Sequence, residues 1–405
     1  MADPRRAFAV EVVQTLRRAG HEALWAGGCV RDLLLGIEPS DYDVATDATP
    51  DRVMKLFRRT VPVGASFGVV RVLGPPGAGE VEVATFRTDG AYLDGRRPTE
   101  VVFSTPEADA SRRDFTVNGM FFEPIHEDVI DYVGGRADLE ARVLRAIGDP
   151  AARFAEDKLR LLRAIRFASR FGLTIEARTW AAIRAMAAEV VVVSPERVAT
   201  ELRKILAHPS RAEGIASARE AGLMAAILPG TDAEGIEVLR HLPVDSSFPL
   251  ALAALLDRLD ADRAEAVCRS LRLSNAERER ATWLAANRAR LDEFGAMPTA
   301  ARKRLLAAPG IGELIALHRA SAGEPGIADR VDAYLRDLPE GPIAPPPLIG
   351  GAELRGCGFS PGPAYKGLLT ALYDAQLAGE FADVEGGIAW LGRRDAESRA
   401  DSAPL

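Results

Sequence analysis

The sequence predicts an α+β chain in which an N-terminal part built on a mixed sheet is followed by an all-helical remainder. Three observations carry this. Strand-like and helix-like runs alternate up to about residue 137, apolar residues then recur at helical spacing from about Leu139 to Leu335, and the proline-rich stretch Pro339 to Pro347 sets off a small final module. On these shifts the chain divides at 1–137, 138–205, 206–337 and 338–405.

Within the first part, a helix over Arg6–Ala19 leads to the apolar run Ala23–Ala26, the turn Gly27-Gly28 and a short helix from Arg31. A strand around Asp41–Ala45, a helix opened by Thr49-Pro50, and strands over Gly68–Leu73 and Glu80–Phe86 follow. The helical part is interrupted only at Pro195, Pro209, Pro229 and Pro249. The last module runs from Leu348 to Trp390 and ends in a polar tail.

Composition narrows the function classes. A chain of 405 residues with net charge −7 holds several domains and does not coat nucleic acid by bulk charge, so any polyanion must meet a local basic patch. No apolar run is long enough for a membrane span, and the start MADPRRAFAV lacks the apolar stretch of a signal peptide. Cys29, Cys268 and Cys357 form no CxxC pair, which argues against a disulfide framework or zinc ribbon and fits a reducing cytoplasm.

The chemistry lies in three segments. Asp41 and Asp43 alternate along a predicted strand and therefore point to one face, where two carboxylates can share Mg²⁺; Glu82 can add an oxygen if its strand lies alongside. Alone, such a DxD is usually just a turn or a solvated edge. Upstream, Gly27 and Gly28 form a turn into a helix, where backbone N–H groups can approach phosphate and Arg31 can add charge. In Arg112-Arg113-Asp114-Phe115-Thr116-Val117-Asn118, Arg113 can neutralise phosphate oxygens while Asp114 and Asn118 can bond ribose hydroxyls.

The third segment spans Arg153–Phe167. Read as one helix, it places Leu161, Leu162, Ile165 and Ala168 on an apolar stripe and steps Asp157, Arg160, Arg163 and Arg166 around the other side. A solvated face of ion pairs would give this pattern. A base-reading face would give it too: cytosine and adenine both present an amino donor beside a ring-nitrogen acceptor, which Asp157 and Arg160 match, whereas uracil and guanine present the reverse.

Taken together, GGxVRD followed by DYD resembles motif A of the polymerase-beta-like nucleotidyltransferases, in the branch of class II tRNA nucleotidyltransferases and bacterial poly(A) polymerases. RRDFTVN resembles that family's triphosphate and ribose motif, with Gly119 where Ala is usual, and EDxxR followed by LRAxRF resembles its protein template. The resemblance implies a catalytic head and an all-α neck, body and tail. It further implies Mg²⁺ on Asp41 and Asp43, a template in which Glu156 orients Arg160, and Arg163 and Arg166 available to phosphates. CTP, ATP and the acceptor arm and elbow of tRNA are the implied partners, with no obligate protein partner.

Some relatives carry a His-Asp hydrolytic module; here no His-Asp pair exists, and Pro249–Asp257 stands in the corresponding place without ligands. The stretch Val61–Val70 resembles the tRNA-repair type rather than poly(A) polymerases, and Arg87–Pro98 resembles the flexible loop of members that add the terminal A. Full CCA addition and A-only addition share one pocket and are not separated by sequence. A catalytically silent tRNA-binding protein is the non-enzymatic alternative.

Overall fold

Short strands, buried almost throughout at the centre and alternately toward one edge, assemble the first part of the chain around a single sheet. The computed structural model of the chain describes residues 3–64, 68–89, 101–230, 233–321, 326–338 and 340–401. The strands are β1 (Ala23–Ala26), β2 (Asp43–Thr46), β3 (Thr60–Gly64), β4 (Val69–Leu73), β5 (Glu80–Thr85), β6 (Arg87–Asp89), β7 (Val101–Phe103), β8 (Phe121–Glu123) and β9 (Asp128–Ile130). Seven of them form a mixed sheet in the order β3-β4-β5-β2-β1-β8-β9, and β6 pairs with β7 separately. β2 and β5 run parallel, with Asp43 opposite Glu82; the other neighbours in the sheet are antiparallel.

Three details differ from expectation. The strand expected from Asp41 begins at Asp43, so Asp41 precedes it. β3 and the β8–β9 hairpin were not anticipated: β3 carries Pro62, which belongs at an edge, and β8 and β9 are only three residues each. Of the loop expected over Arg87–Pro98, only Arg87–Asp89 is described; 90–98 lies outside the described residues, as does 65–67 within Val61–Val70.

Helices of this part follow their local signals. α1 (Pro4–Arg18) opens with Pro4 behind Asp3, whose carboxylate accepts from the Arg5 N–H, and it buries Phe8, Val12, Val13 and Leu16. Next come α2 (Gly28–Leu34), α3 (Pro50–Leu56), α4 (Pro106–Ser111) and α5 (Gly135–Glu140). The remaining six are α6 (Pro150–Glu156), α7 (Leu159–Phe171), α8 (Ala177–Met186), α9 (Pro195–Leu206), α10 (Arg211–Glu220) and α11 (Leu223–Ile227). α6 is capped by Asp149 and ends at Asp157, whose extended backbone (φ −150°, ψ 107°) separates it from α7. The segment read as one helix is therefore two.

Two glycines fix close backbone approaches. A Cβ on Gly119 would lie 2.7 Å from Val133 Cγ2 and 3.0 Å from Ile147 Cδ1, which accounts for glycine after Asn118. A Cβ on Gly135, in α5, would lie 2.1 Å from the carbonyl oxygen of Thr116, in the 3-10 turn Thr116–Asn118.

The chain divides into two compact units, Met1–Thr231 with Ser270–Arg272, and Asp232–Arg269 with Leu273–Leu405. α10 and α11, beyond the expected boundary at 205, belong to the first unit, where α10 packs on α7. The second unit is helical, and its C-terminal residues Ile349, Leu354, Leu372, Ala375, Phe381 and Leu391 share a small core. Among the described residues, no helix is long and apolar enough to cross a membrane.

Candidate functional site

Gly27 (φ +74°) ends β1 and turns the chain into α2 in a conformation that L side chains rarely adopt. A Cβ there would also lie 2.7 Å from Arg113 Nη1, so the turn and Arg113 meet only because residue 27 is glycine. Around this contact opens a cavity of about 570 Å³. It brings together Gly27, Gly28, Arg31, Asp41, Asp43, Arg113, Asp114, Asn118, Asp157, Arg160 and Arg163. Glu82, Glu156 and Arg166 do not line it.

On the sheet side, Asp43 and Glu82 share a register position on parallel neighbours and hence a face. Burial pushes the Asp43 carboxyl up to about 7; the Glu82 and Asp41 carboxylates push the same way and Arg113 opposes them. Asp43 keeps a solvent-facing edge, so the cavity walls rather than complete enclosure desolvate it. Among the described residues no three His, Cys, Asp or Glu side chains gather into a metal cluster. Two carboxylates beside a glycine turn into a helix nevertheless fit Mg²⁺, which uses one or two protein carboxylates and takes its other ligands from substrate phosphates and water. Cys29, buried behind the turn, donates to the Ala26 carbonyl at 3.4 Å, and burial pushes its thiol up to about 12. It is an inert filler.

Across the middle, Arg31 donates to Asp32 at 2.6 and 2.8 Å and to Asn118 Oδ1 at 2.6 Å, while its guanidinium lies 4.1 Å from the Phe171 ring centroid. Asn118 in turn donates to Asp114 Oδ1 at 3.1 Å, and Arg163 donates to Asp114 Oδ2 at 2.6 and 2.8 Å. Burial alone would raise the Asp114 carboxyl, but Arg163 and the Asn118 hydrogen bond hold it down to about 2. Asp114 and Asn118, expected at the ribose, are thus fixed by an internal ladder from α2 to α7. Arg113 is held by Asp109 at 2.9 Å and over the Phe121 ring at 5.2 Å.

Asp157 sits in the break before α7. Its Oδ1 accepts from the Leu159 N–H at 3.0 Å and its Oδ2 from Arg197 of α9 at 2.6 Å. The carboxylate thereby satisfies the first N–H of α7, which has no partner within that helix. Arg160 donates to Glu156 and to the Arg153 carbonyl, the latter at 2.8 Å. Arg166, expected at phosphates, is instead 6% exposed, bonded to Glu201 at 2.5 Å and stacked 4.0 Å from the Phe167 ring centroid. Lys158 pairs with Glu189 at 2.7 Å, away from Asp157.

Sequence reasoning gave no role to Arg112, Phe167 and Lys204, which also line the cavity, or to Arg197 and Glu201, which hold its α7 side. Arg197, Glu201 and Lys204 recur at i, i+4 and i+7, a signal for one charged helix face that does not reveal its partner.

Two family models match the chain: the poly(A) polymerase head domain over residues 23–145, and the probable RNA- and SrmB-binding site of polymerase A over residues 172–234. The CCA-adding enzyme of Geobacillus thermodenitrificans is 43% identical over 228 residues, 56% of this chain and 55% of that protein, so the chain spans about half the length of this relative. In solved structures, the Bacillus stearothermophilus CCA-adding enzyme in complex with CTP superposes with a TM-score of 0.81 at 27% identity, covering 99% of this chain and 100% of that one. The CCA-adding enzyme of Geobacillus kaustophilus is 38% identical over 290 residues, 71% of this chain and 69% of that protein. Identity sustained over more than two thirds of a relative, on a fold that gathers the motif residues into one cavity, establishes that the chain belongs to the CCA-adding enzyme family.

Proposed function

We propose that this chain is a Mg²⁺-dependent CCA-adding tRNA nucleotidyltransferase, which adds C, C and A to a tRNA 3′ end from CTP and ATP and releases pyrophosphate. The observation that carries this is the placement of Asp41 and Asp43 in the same cavity as Asp157 and Arg160, with Arg113, Asp114 and Asn118 lining it as well. The CTP complex of the Bacillus stearothermophilus relative supports the nucleotide assignment. Free thiols at Cys29, Cys268 and Cys357 fit a cytoplasmic setting.

Asp41 and Asp43 would hold Mg²⁺, whose chemistry there is to neutralise charge on the transferring phosphate and on the attacking 3′-hydroxyl. The Gly27-Gly28 backbone and Arg113 receive phosphate oxygens. Asn118 and Asp114 stand for the ribose. Both Asp157 oxygens already accept one hydrogen bond, which fixes the carboxylate while leaving lone pairs for a base amino group; Arg160, steadied by Glu156, donates to the adjacent ring nitrogen. Catalysis is then mainly positioning.

The test is incubation with tRNA ending at the discriminator base, at C or at CC, with each NTP separately. Ordered incorporation of C, C and A is expected. Incorporation of A alone identifies an A-adding enzyme, a long A tail a polymerase, and no incorporation a binding protein.

A further inference from the structure

The cations of the cavity differ in what already holds them. Arg31 is bound by Asp32 and Asn118, Arg113 by Asp109, Arg160 by Glu156 and Arg163 by Asp114, with hydrogen bonds of 3.2 Å or shorter. Their side chains are 6%, 20%, 11% and 31% exposed. Lys204 is different. Its side chain is 49% exposed, and its ammonium lies 3.8 Å from Glu201 Oε1, beyond hydrogen-bond distance. Glu201 is itself committed: its other oxygen accepts from Arg166 at 2.5 Å, and Arg163 lies 3.9 Å from Oε1.

α9 explains the placement. Arg197, Glu201 and Lys204 share the face turned to α7, and at 1.5 Å per residue Lys204 lies about 10 Å along the axis from Arg197. Arg197 ends on Asp157 and Glu201 on Arg166, so Lys204 reaches the cavity two turns further along α9 than the residue that holds Asp157. A flexible ammonium with three donors and no firm acceptor is suited to a ligand oxyanion rather than to the fold.

Building on the nucleotidyltransferase reading of the cavity, we propose that Lys204 is a substrate-positioning residue that takes a phosphate oxygen. Two sources share that chemistry: the triphosphate of the nucleotide and the phosphodiester backbone at the RNA 3′ end. The test measures binding of inorganic tripolyphosphate with Mg²⁺, and of a short single-stranded RNA, to the full-length protein, its Lys204→Met variant and its Lys204→Arg variant. Lys204→Met should weaken one of the two ligands by about five-fold or more while Lys204→Arg restores most of it. Loss on tripolyphosphate assigns the lysine to the nucleotide. Loss on RNA, with a salt dependence shallower by about 0.7 in the log–log slope, assigns it to the primer. Unchanged binding of both ligands, no binding of either by the parent protein, or equal impairment of the Arg and Met variants overturns the proposal. Because these measurements need no turnover, they decide the lysine even if the protein adds no nucleotide and the broader reading fails.

Discussion

On the α7 side of the cavity the guanidinium groups of Arg160, Arg163 and Arg166 lie against carboxylates of the chain itself, whereas on the β2 side Asp43 crowds against Glu82 and Asp41 with Arg113 opposing. The difference separates two ways of preparing a site. If the α7 surface reads a base, as proposed, it must keep its shape before the base arrives, and internally compensated charges fix its geometry in advance. On the proposed reading the β2 surface takes a cation and needs surplus negative charge; burial is the main reason the Asp43 carboxyl is raised, and the Glu82 and Asp41 carboxylates add to it.

The largest effect should come from the sheet side. Asp41→Ala or Asp43→Ala should lower addition of C and A alike by about 100-fold or more, a loss of ~2.7 kcal/mol or greater in the barrier. Single-nucleotide incorporation assays measure it, and retention of tRNA affinity in a filter-binding assay shows that the fold survives. Selective loss of only one nucleotide would break the contrast, because it would give β2 a part in base choice.

Next in size is the ladder that joins the two sides. Asp114→Ala leaves Arg163 with only the more distant Glu201 carboxylate, and because Arg163 keeps 31% exposure the cost should be about 2–3 kcal/mol, below the ~3–5 kcal/mol of a fully buried pair. The pH dependence has a definite sign. A carboxyl held at about 2 when folded and near ~3.9 when unfolded stabilises the protein above about pH 4, and that gain is lost as pH falls toward 2. Urea titrations of parent and variant should therefore show this linkage contribution at pH 3 reduced to only about half of its value at pH 7.

Base choice should respond more modestly. Asp157→Ala and Arg160→Ala should narrow the preference for CTP and ATP over UTP and GTP by ~1–3 kcal/mol, read as ratios of kcat/KM. If both variants discriminate like the parent, the internally paired α7 surface is structural and the contrast between the two sides loses its functional meaning.

The smallest effect concerns stability on the sheet side. Raising the folded Asp43 carboxyl to about 7 costs stability progressively as pH rises from the unfolded value of ~3.9 toward 7, since the native state must then carry an ill-placed charge. Asp43→Asn, measured without divalent cation, should thus raise Tm more at pH 8 than at pH 4.5. Added Mg²⁺ should narrow the difference by stabilising only the parent.

Much of this was legible because it is local. Gly27-Gly28, the Asp43 strand and the RRDFTVN turn are short-range patterns, and β5 beside β2 realises the condition attached to Glu82. The rest depends on which helix meets which. Asp157 reads as helical until Arg197, forty residues away, and the Leu159 N–H are seen to claim its two oxygens. Arg166 reads as a free cation until Glu201 and Phe167 enclose it. Lys204 reads as one more solvated charge, because periodicity marks a face and says nothing of what lies opposite.

Gly135 gives the site a remote point of failure. It carries no side-chain chemistry and does not line the cavity, yet a Cβ added there would lie 2.1 Å from the Thr116 carbonyl oxygen, in the space of a backbone atom. Backbone cannot rotate aside as a side chain can, so the displacement would pass into the turn that carries Asn118 and, through its hydrogen bond, to Asp114. A shift of about 1 Å there can cost on the order of 100-fold in rate. A variant at residue 135 could therefore be well folded and chemically complete and still be slow, a lesion in alignment rather than in composition.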